Sequence, residues 1–193
     1  RDRSDGFVRS ATLLLEAGAD ANTGFAEPGH APEPTFESVL YGACGVAHHE
    51  PLTRLLLAHG ADPNDEEVVY HSPESRDNAA LEALVETGQL TDESLTMMLH
   101  RKCDAHDEAG VRYLLAAGAD PARASRWSRN ALLHALTRDN ATELIDLLID
   151  HGADPRIADT HGSAIESAAR RGRGDVLASI RSRGIPLDLR GTD

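Results

Sequence analysis

The stretch Leu55-Leu-Leu-Ala-His-Gly-Ala-Asp-Pro-Asn64 (LLLAHGADPN) decides how the rest of the chain is read. It returns as LLLEAGADAN at 13–22, LLAAGADPAR at 114–123 and LLIDHGADPR at 147–156, with weaker echoes ALVETGQL at 83–90 and SIRSRGIPLD at 179–188. Each copy is an apolar helical face followed by a glycine, which adopts a left-handed cap without steric cost. Pro63, Pro121 and Pro155 follow their glycines closely and keep the helix from continuing. Gly18, Gly60, Gly88, Gly118, Gly152 and Gly184 fall mostly about thirty residues apart, the scale of stacked helical repeats. An array of this kind offers an extended surface rather than a pocket, so the first expectation is a binding module.

The bulk numbers agree with a single array. A chain of 193 residues allows one or two domains, but each unit of a repeat array buries its apolar face only against its neighbours. Aromatic content of 4% suits helices packed through Leu and Ala. Nineteen Lys and Arg against thirty-two Asp and Glu give a net charge of −13, which argues against non-specific binding to nucleic acid or an anionic membrane. The charge is uneven. Ten carboxylates and one cation, Arg76, lie between Asp62 and Glu93, whereas Arg170, Arg171, Arg173, Arg181, Arg183 and Arg190 crowd the C-terminal stretch. That pattern reads either as solvated faces or as a dipole that orients a partner. No window approaches the roughly 20 apolar residues of a membrane span, and no signal peptide opens the sequence. Cys44 and Cys103 read as buried small hydrophobes in a reducing compartment, and the expected location is the cytoplasm.

The last repeat shows the unit most clearly. Asp159-Thr-His-Gly-Ser opens it, Ser163–Ala169 makes a first helix with Ser163 as cap, Arg170–Gly174 turns, and Asp175–Arg183 forms a second helix stopped by Gly184. With these halves in view, the chain resembles the ankyrin repeat. That family's first half, roughly Asp-x-x-Gly-x-Thr-Pro-Leu-His-x-Ala-Ala, is matched by Ser38–Cys44, Asn130–Leu136 and Ser163–Ala169, and its second half by the recurring Leu-Leu-x-x-Gly-Ala-Asp phrase. The resemblance implies an all-α solenoid of stacked helix–turn–helix units with short hairpin-like loops, about five full repeats plus an N-terminal half repeat. The divisions are a half repeat at 1–22, an inserted loop at 23–34, and repeats at 35–64, 65–90, 91–121, 122–156 and 157–189. The inserted loop, rich in Pro and Gly, is expected to be mobile. Pro73 cuts the first helix of the third repeat, whose turn Arg76-Asp-Asn78 is repeated as Arg138-Asp-Asn140 in the fifth. The fourth repeat keeps its helices without the Thr-Pro-Leu-His signature. Arg181 and Arg183 give the last helix the character of a polar cap, which the first helix lacks. The natural protein is therefore expected to continue before Arg1 and to stop near Asp193.

Arrays resembling this one bind through hairpin tips and the concave face of the first helices, positions that vary freely on a rigid scaffold. The fifth-repeat tip stands out, with Arg126, Trp127 and Arg129 just before Asn130, since Trp and Arg are the residues most enriched at hot spots. Trp127 reads either as a partner anchor or as a side chain folded onto the neighbouring repeat. Tyr41, His71 and His134 fall on or near the concave side, with local backbone bonding as the other reading. Arg156, Thr160 and His161 occupy the last tip, where solvated loop residues are the alternative. Asp65, Glu66 and Glu67 could meet a basic partner or be plain surface charge. Cys44 with His48 and His49, and Cys103 with His106, lack four ligands at zinc spacing. Arg173-Gly174-Asp175 belongs to an inter-helix turn, and Asn140-Ala-Thr142 is the start of a helix. No catalytic or phosphate-binding motif appears. The expectation is a monomeric, non-enzymatic protein-recognition module without cofactor or metal. Its alternatives are an ankyrin segment that brings an upstream enzyme or effector domain to its substrate, and a solenoid spacer without a partner.

Overall fold

The computed structural model describes residues 4–29, 34–160 and 162–189. It divides into two compact units, residues 1–94 and 95–193, and the boundary falls inside one helix. The first unit opens with α1 (Ser4–Glu16), followed by an antiparallel hairpin of β1 (Gly24–Glu27) and β2 (Thr35–Ser38) in the register Phe25↔Glu37 and Ala26↔Phe36. A helical segment with a π turn at Tyr41–Val46 leads to α2 (Glu50–Ala58). Then come α3 (Glu66–His71) with a 3₁₀ turn at Ser72–Glu74, and α4 (Ala79–Val85). Helix α5 (Asp92–Asp104) runs across the boundary. The second unit continues with α6 (Glu108–Ala116), α7 (Ala131–Thr137) and α8 (Thr142–Asp150). A minimal hairpin of β3 (Ala158–Asp159) and β4 (Gly162–Ser163) precedes α9 (Ala164–Arg170) and α10 (Gly174–Ser182). Within each unit like packs on like. α2 lies between α1 and α4, α8 between α6 and α10, and α7 against α9.

The helix ends follow from the sequence. All six glycines expected to cap second helices are left-handed, with φ from +65° at Gly88 to +107° at Gly152. In four copies the residue after the glycine reaches back five positions, as in Ala61 N–H to the Leu56 carbonyl at 3.1 Å and Ala153 to Leu148 at 3.1 Å. The aspartate of the phrase then accepts from the amide two residues on, at 2.9 Å for Asp20, Asp62 and Asp154 and 2.8 Å for Asp120. First helices start on the caps named from sequence. Asn130 accepts from Leu133 N–H, and Ser163 forms a reciprocal capping box with Glu166.

The position four before each capping glycine carries the core. Leu56, Leu84, Leu114, Leu148 and Ile180 are all buried there, whereas the equivalent Leu14 is 62% exposed, because α1 has no first helix of its own repeat beside it among the described residues. Asn22 and Asn64 stitch neighbouring repeats in the first unit. Asn22 donates to the Gly60 carbonyl and accepts from Asp62 N–H, and Asn64 does the same with Gln89 and Thr91. Ala122 and Arg156 stand at this position in the second unit and lack that amide.

Four features depart from the sequence reading. The stretch read as an inserted loop begins with a strand, because Phe25 and Ala26 alternate against β2 as the near arm of a hairpin. The second repeat takes a π turn: ten residues separate its cap, Ser38, from the left-handed His48, where nine separate Asn130 from Asp139 and Ser163 from Gly172. The π turn absorbs that extra residue. The turns Arg76–Asn78 and Arg138–Asn140 share letters but not shape. Asp139 is left-handed at φ +53°, and Asn140 is buried and donates to the carbonyls of Cys103 and Ala135, whereas the third repeat turns through its 3₁₀ segment. Arg183, read as part of a polar end, instead reaches back to Asp146 and Asp150 on α8, each at 3.0 Å.

The chain's single lysine, Lys102, is fully buried and bonds to Asp107 at 2.8 Å. A side chain at Gly110 would place a Cβ 2.6 Å from the Lys102 stem, so the glycine makes the room for the pair. Asp107 also caps α6 through Gly110 N–H. Removing one partner of a buried pair leaves an uncompensated charge, which costs about 3–5 kcal/mol, while replacing both is often close to neutral. Lys102→Met should therefore lower the urea unfolding free energy by about that amount, and adding Asp107→Asn should restore most of it. Equal stability of the single and double variants would contradict the pairing.

Candidate functional site

The fifth-repeat tip is built by local bonds before any long-range contact is made. After the cap at Gly118 the chain leaves α6, and Ser125 organises the loop. Its N–H donates to the Arg129 carbonyl at 3.0 Å, its carbonyl accepts from Ser128 N–H at 2.8 Å, and its hydroxyl accepts from Trp127 N–H at 3.3 Å. Ser128 is left-handed at φ +56°, which reverses the chain. Ala131 N–H then closes onto the Pro121 carbonyl at 3.3 Å, and Asn130 starts α7.

Trp127 sits at the apex on a base of two histidines. Its ring stacks on His134 with centroids 5.8 Å apart and planes 10° apart, and lies 6.2 Å from His100. The Arg126 guanidinium is 5.5 Å from the indole centroid, within cation–π range. Trp127 nevertheless remains 43% exposed, so one aromatic surface is both held and presented. His100, on α5, is fully buried; its Nδ1 is 2.8 Å from the Thr96 carbonyl and its Nε2 2.9 Å from the Arg129 carbonyl. His134 Nε2 bonds to Asp104 Oδ1 at 2.8 Å. Arg101 and Arg138 share that carboxylate at 2.7 and 2.6 Å. Arg129 points to the next hairpin, 3.3 Å from Asp159.

The electrostatics follow from this packing. Burial pushes the Asp104 carboxyl up, but His134, Arg101 and Arg138 outweigh it and hold its pKa down to about 2. Burial is the largest influence on His100 and lowers its pKa. His134 adds to that effect, while the Thr96 and Arg129 carbonyls and the Asp104 charge oppose it. Residues 1–94 carry eighteen carboxylates and five cations, whereas residues 95–193 carry fourteen of each. The whole net charge thus resides in the first unit, and the arginines of this tip stand in a neutral one.

The structure brings Arg126, Trp127, Arg129 and His134 into one cluster. Trp127 packs against His134 and lies near His100 of the preceding repeat, and it stays partly exposed. His134 is buried beneath it. Tyr41 and His71 meet separately in the first unit, with ring centroids 5.3 Å apart, and His71 lies near Glu67 and Glu74. A Cβ at Gly45 would lie 2.7 Å from the Tyr41 ring and 3.0 Å from the His71 Cβ, so that glycine permits their contact. Arg156 folds back onto Asp154 of its own loop at 2.8 Å, and Thr160 is exposed at the last tip. His161 lies outside the described residues. Sequence reading missed His100, Asp104 and Arg138. The left-handed turns at His106 and Asp139, from which the two first helices could be aligned, are not marked by glycine.

Paired short helices, left-handed glycine caps and two-stranded hairpins give the chain the ankyrin-repeat fold. No protein-family profile matches it. Among proteins of known identity it is similar to cyclin-dependent kinase 4 inhibitor B of Bos taurus, 38% identical over 82 residues, which is 42% of this chain and 61% of that protein. The Homo sapiens inhibitor is also 38% identical over 82 residues, or 42% of this chain and 58% of its own length. The match thus spans about three fifths of these relatives. In fold the chain is similar to the ankyrin repeat domain of Bcl-3, a member of the IkappaB protein family (TM-score 0.79, 22% identity, 97% of this chain and 84% of that one). An ankyrin repeat domain from Acinetobacter baumannii AYE gives a TM-score of 0.78 at 17% identity, with 95% of each chain covered. Among the described residues no helix is long and apolar enough to cross a membrane.

The Asp104 cluster makes a pH-dependent prediction. A carboxylate whose folded pKa lies near 2, below its ordinary value of about 3.9, contributes stability above pH 4 that is lost as pH falls through 2. Asp104→Asn should cost about 2 kcal/mol at pH 7, and urea unfolding at pH 2.5 should show a much smaller gap between variant and parent. A gap independent of pH would contradict the assignment.

Proposed function

We propose that the chain is a protein-recognition module whose principal contact is the Trp127 tip of residues 95–193. The observation that carries this reading is the state of Trp127, seated on a stacked histidine and yet nearly half exposed. A large aromatic held in one orientation loses little conformational entropy on binding, which is why such residues dominate hot spots. Arg126, beside the ring, supplies hydrogen bonds and charge to a partner. Arg129 and His134 act from beneath by fixing the tip, while Arg156, Thr160 and His161 extend the contact along the next tip. In the first unit, Tyr41 and His71 form a second contact of their own. The proposed partner is a protein, bound by a cytoplasmic monomer without catalysis. Similarity to inhibitors named for a cyclin-dependent kinase, and to the ankyrin domain of an IkappaB family member, supports a protein partner without identifying it.

Loss of a central aromatic anchor costs about 2 kcal/mol or more, close to thirtyfold in affinity. Trp127→Ala with Arg126→Ala should weaken partner capture by at least that factor while the far-UV circular dichroism stays unchanged. Undiminished capture by the folded double variant would remove the tip from the proposed interface.

A further inference from the structure

In the first unit, β2 and the loop that leads into α3 enclose a cavity of about 370 Å³. That volume falls within the roughly 300–1,000 Å³ of pockets that hold small ligands. One wall carries Phe36 and Ser38, and the other carries Asp62, Asp65, Glu66 and Glu67. Asn22 ties the walls together, since it lines the cavity and its side-chain amide donates to the Gly60 carbonyl at 2.9 Å and accepts from Asp62 N–H at 2.8 Å. The acidic wall is fixed from within. Asp62 Oδ1 accepts from Asn64 N–H at 2.9 Å, and Asp65 Oδ1 accepts from Glu67 and Val68 N–H at 2.9 and 3.1 Å. Asp62 and Asp65 each give one oxygen to these amides, and neither pairs with a cationic side chain among the described residues. We propose that this cavity receives an arginine side chain of a protein partner, its guanidinium laid against Phe36 and bonded to Asp62 and Asp65.

Three features of the cavity select that occupant. Phe36 is 53% exposed although it lies in a paired strand, so its ring is open to an incoming group. A Cβ at Gly24 would lie 2.7 Å from that ring, so the glycine on β1 leaves the ring its place. A guanidinium is planar and weakly hydrated; it stacks on an aromatic face while its edge donates to carboxylates, which a compact ammonium does less well. Ser38 adds a separate requirement. It is 7% exposed, its hydroxyl accepts from Tyr41 N–H at 3.0 Å, and its own proton has no acceptor among the described residues. A bare metal cation offers that proton nothing, whereas the main-chain carbonyls that accompany a peptide arginine accept it. Charge completes the selection. Residues 1–94 carry eighteen carboxylates and five cations, and no Lys or Arg lines the cavity among the described residues. Arg54, one of the five, is already shared by Glu50 and Glu86. Free arginine would bring its own carboxylate into this negative field, and an arginine within a chain does not.

The site extends the reading of the chain as a recognition module, but its test needs no natural partner. Amide shifts of the 193-residue chain are followed by NMR as the blocked peptide acetyl-Gly-Gly-Arg-Gly-Gly-amide is added to millimolar concentration. Saturable shifts should appear at the amides of Phe36, Ser38, Asp62 and Asp65. The same peptide with citrulline keeps the shape without the charge and should bind at least about tenfold more weakly. Asp62→Asn with Asp65→Asn retains the oxygens that accept the loop amides and should weaken the arginine peptide by a similar factor. Should that variant fail to fold, sodium chloride decides: about 0.5 M should weaken wild-type binding severalfold, and binding indifferent to salt overturns the proposal. Shifts that do not saturate, that fall on other residues, that citrulline reproduces equally, or that survive the double substitution also overturn it. Equal binding of free arginine, or saturation of the same amides by calcium chloride at lower concentration, rejects the peptide in favour of a small cation. Trp127 and Arg126 lie in the other unit, so partner capture by their double variant decides the tip and leaves this result untouched.

Discussion

The left-handed glycine at the end of each second helix is the constraint on which the remaining structure depends. In four copies it lets the following N–H reach back to the helix and hands the chain to an aspartate that fixes the next turn. The leucine or isoleucine four residues earlier is thereby aimed inward at a constant height in each unit. Burying such a side chain contributes about 1.5–3 kcal/mol, so five copies of one local arrangement supply much of the core. Residues outside this backbone arrangement can vary without disturbing it.

That division explains which parts of the fold were legible in the sequence. Glycine caps, the prolines after them and the caps Asn130 and Ser163 act within a few residues of their own backbone, so spacing alone revealed them. The inter-helix turns were harder to read, because His48, His106 and Asp139 take the left-handed conformation that only Gly172 advertises by its residue type. The π turn of the second repeat follows from a single additional residue between Ser38 and His48, visible only once those two positions are known to be fixed points. Strand β1 is short, ends in a Pro-Gly sequence and depends on its pairing with β2, so its composition read as loop.

The tip shows the same boundary at the level of function. Arg126, Trp127 and Arg129 were conspicuous from residue type and position. Their support was legible only in His134: His100 and Asp104 come from another helix and acquire meaning only when adjacent repeats stack. The exposed aromatic is thus held by a buried polar network in which one carboxylate bonds to side chains from its own helix, from α7 and from the turn after α7. A network of this kind fixes orientation more than it adds stability.

The central claim is that constant capping motifs form the frame of each unit and that the variable tips are built on it by separate, local bonds. Native-state hydrogen exchange at single-amide resolution tests it most directly. The amides of Ala61, Ala119 and Ala153, which close the glycine caps, should exchange only through the large openings that expose the helices. Amides of the tip at 122–127 should exchange far faster, through local opening. Capping amides that exchange as readily as the tip, or a tip as protected as the helices, would contradict the account.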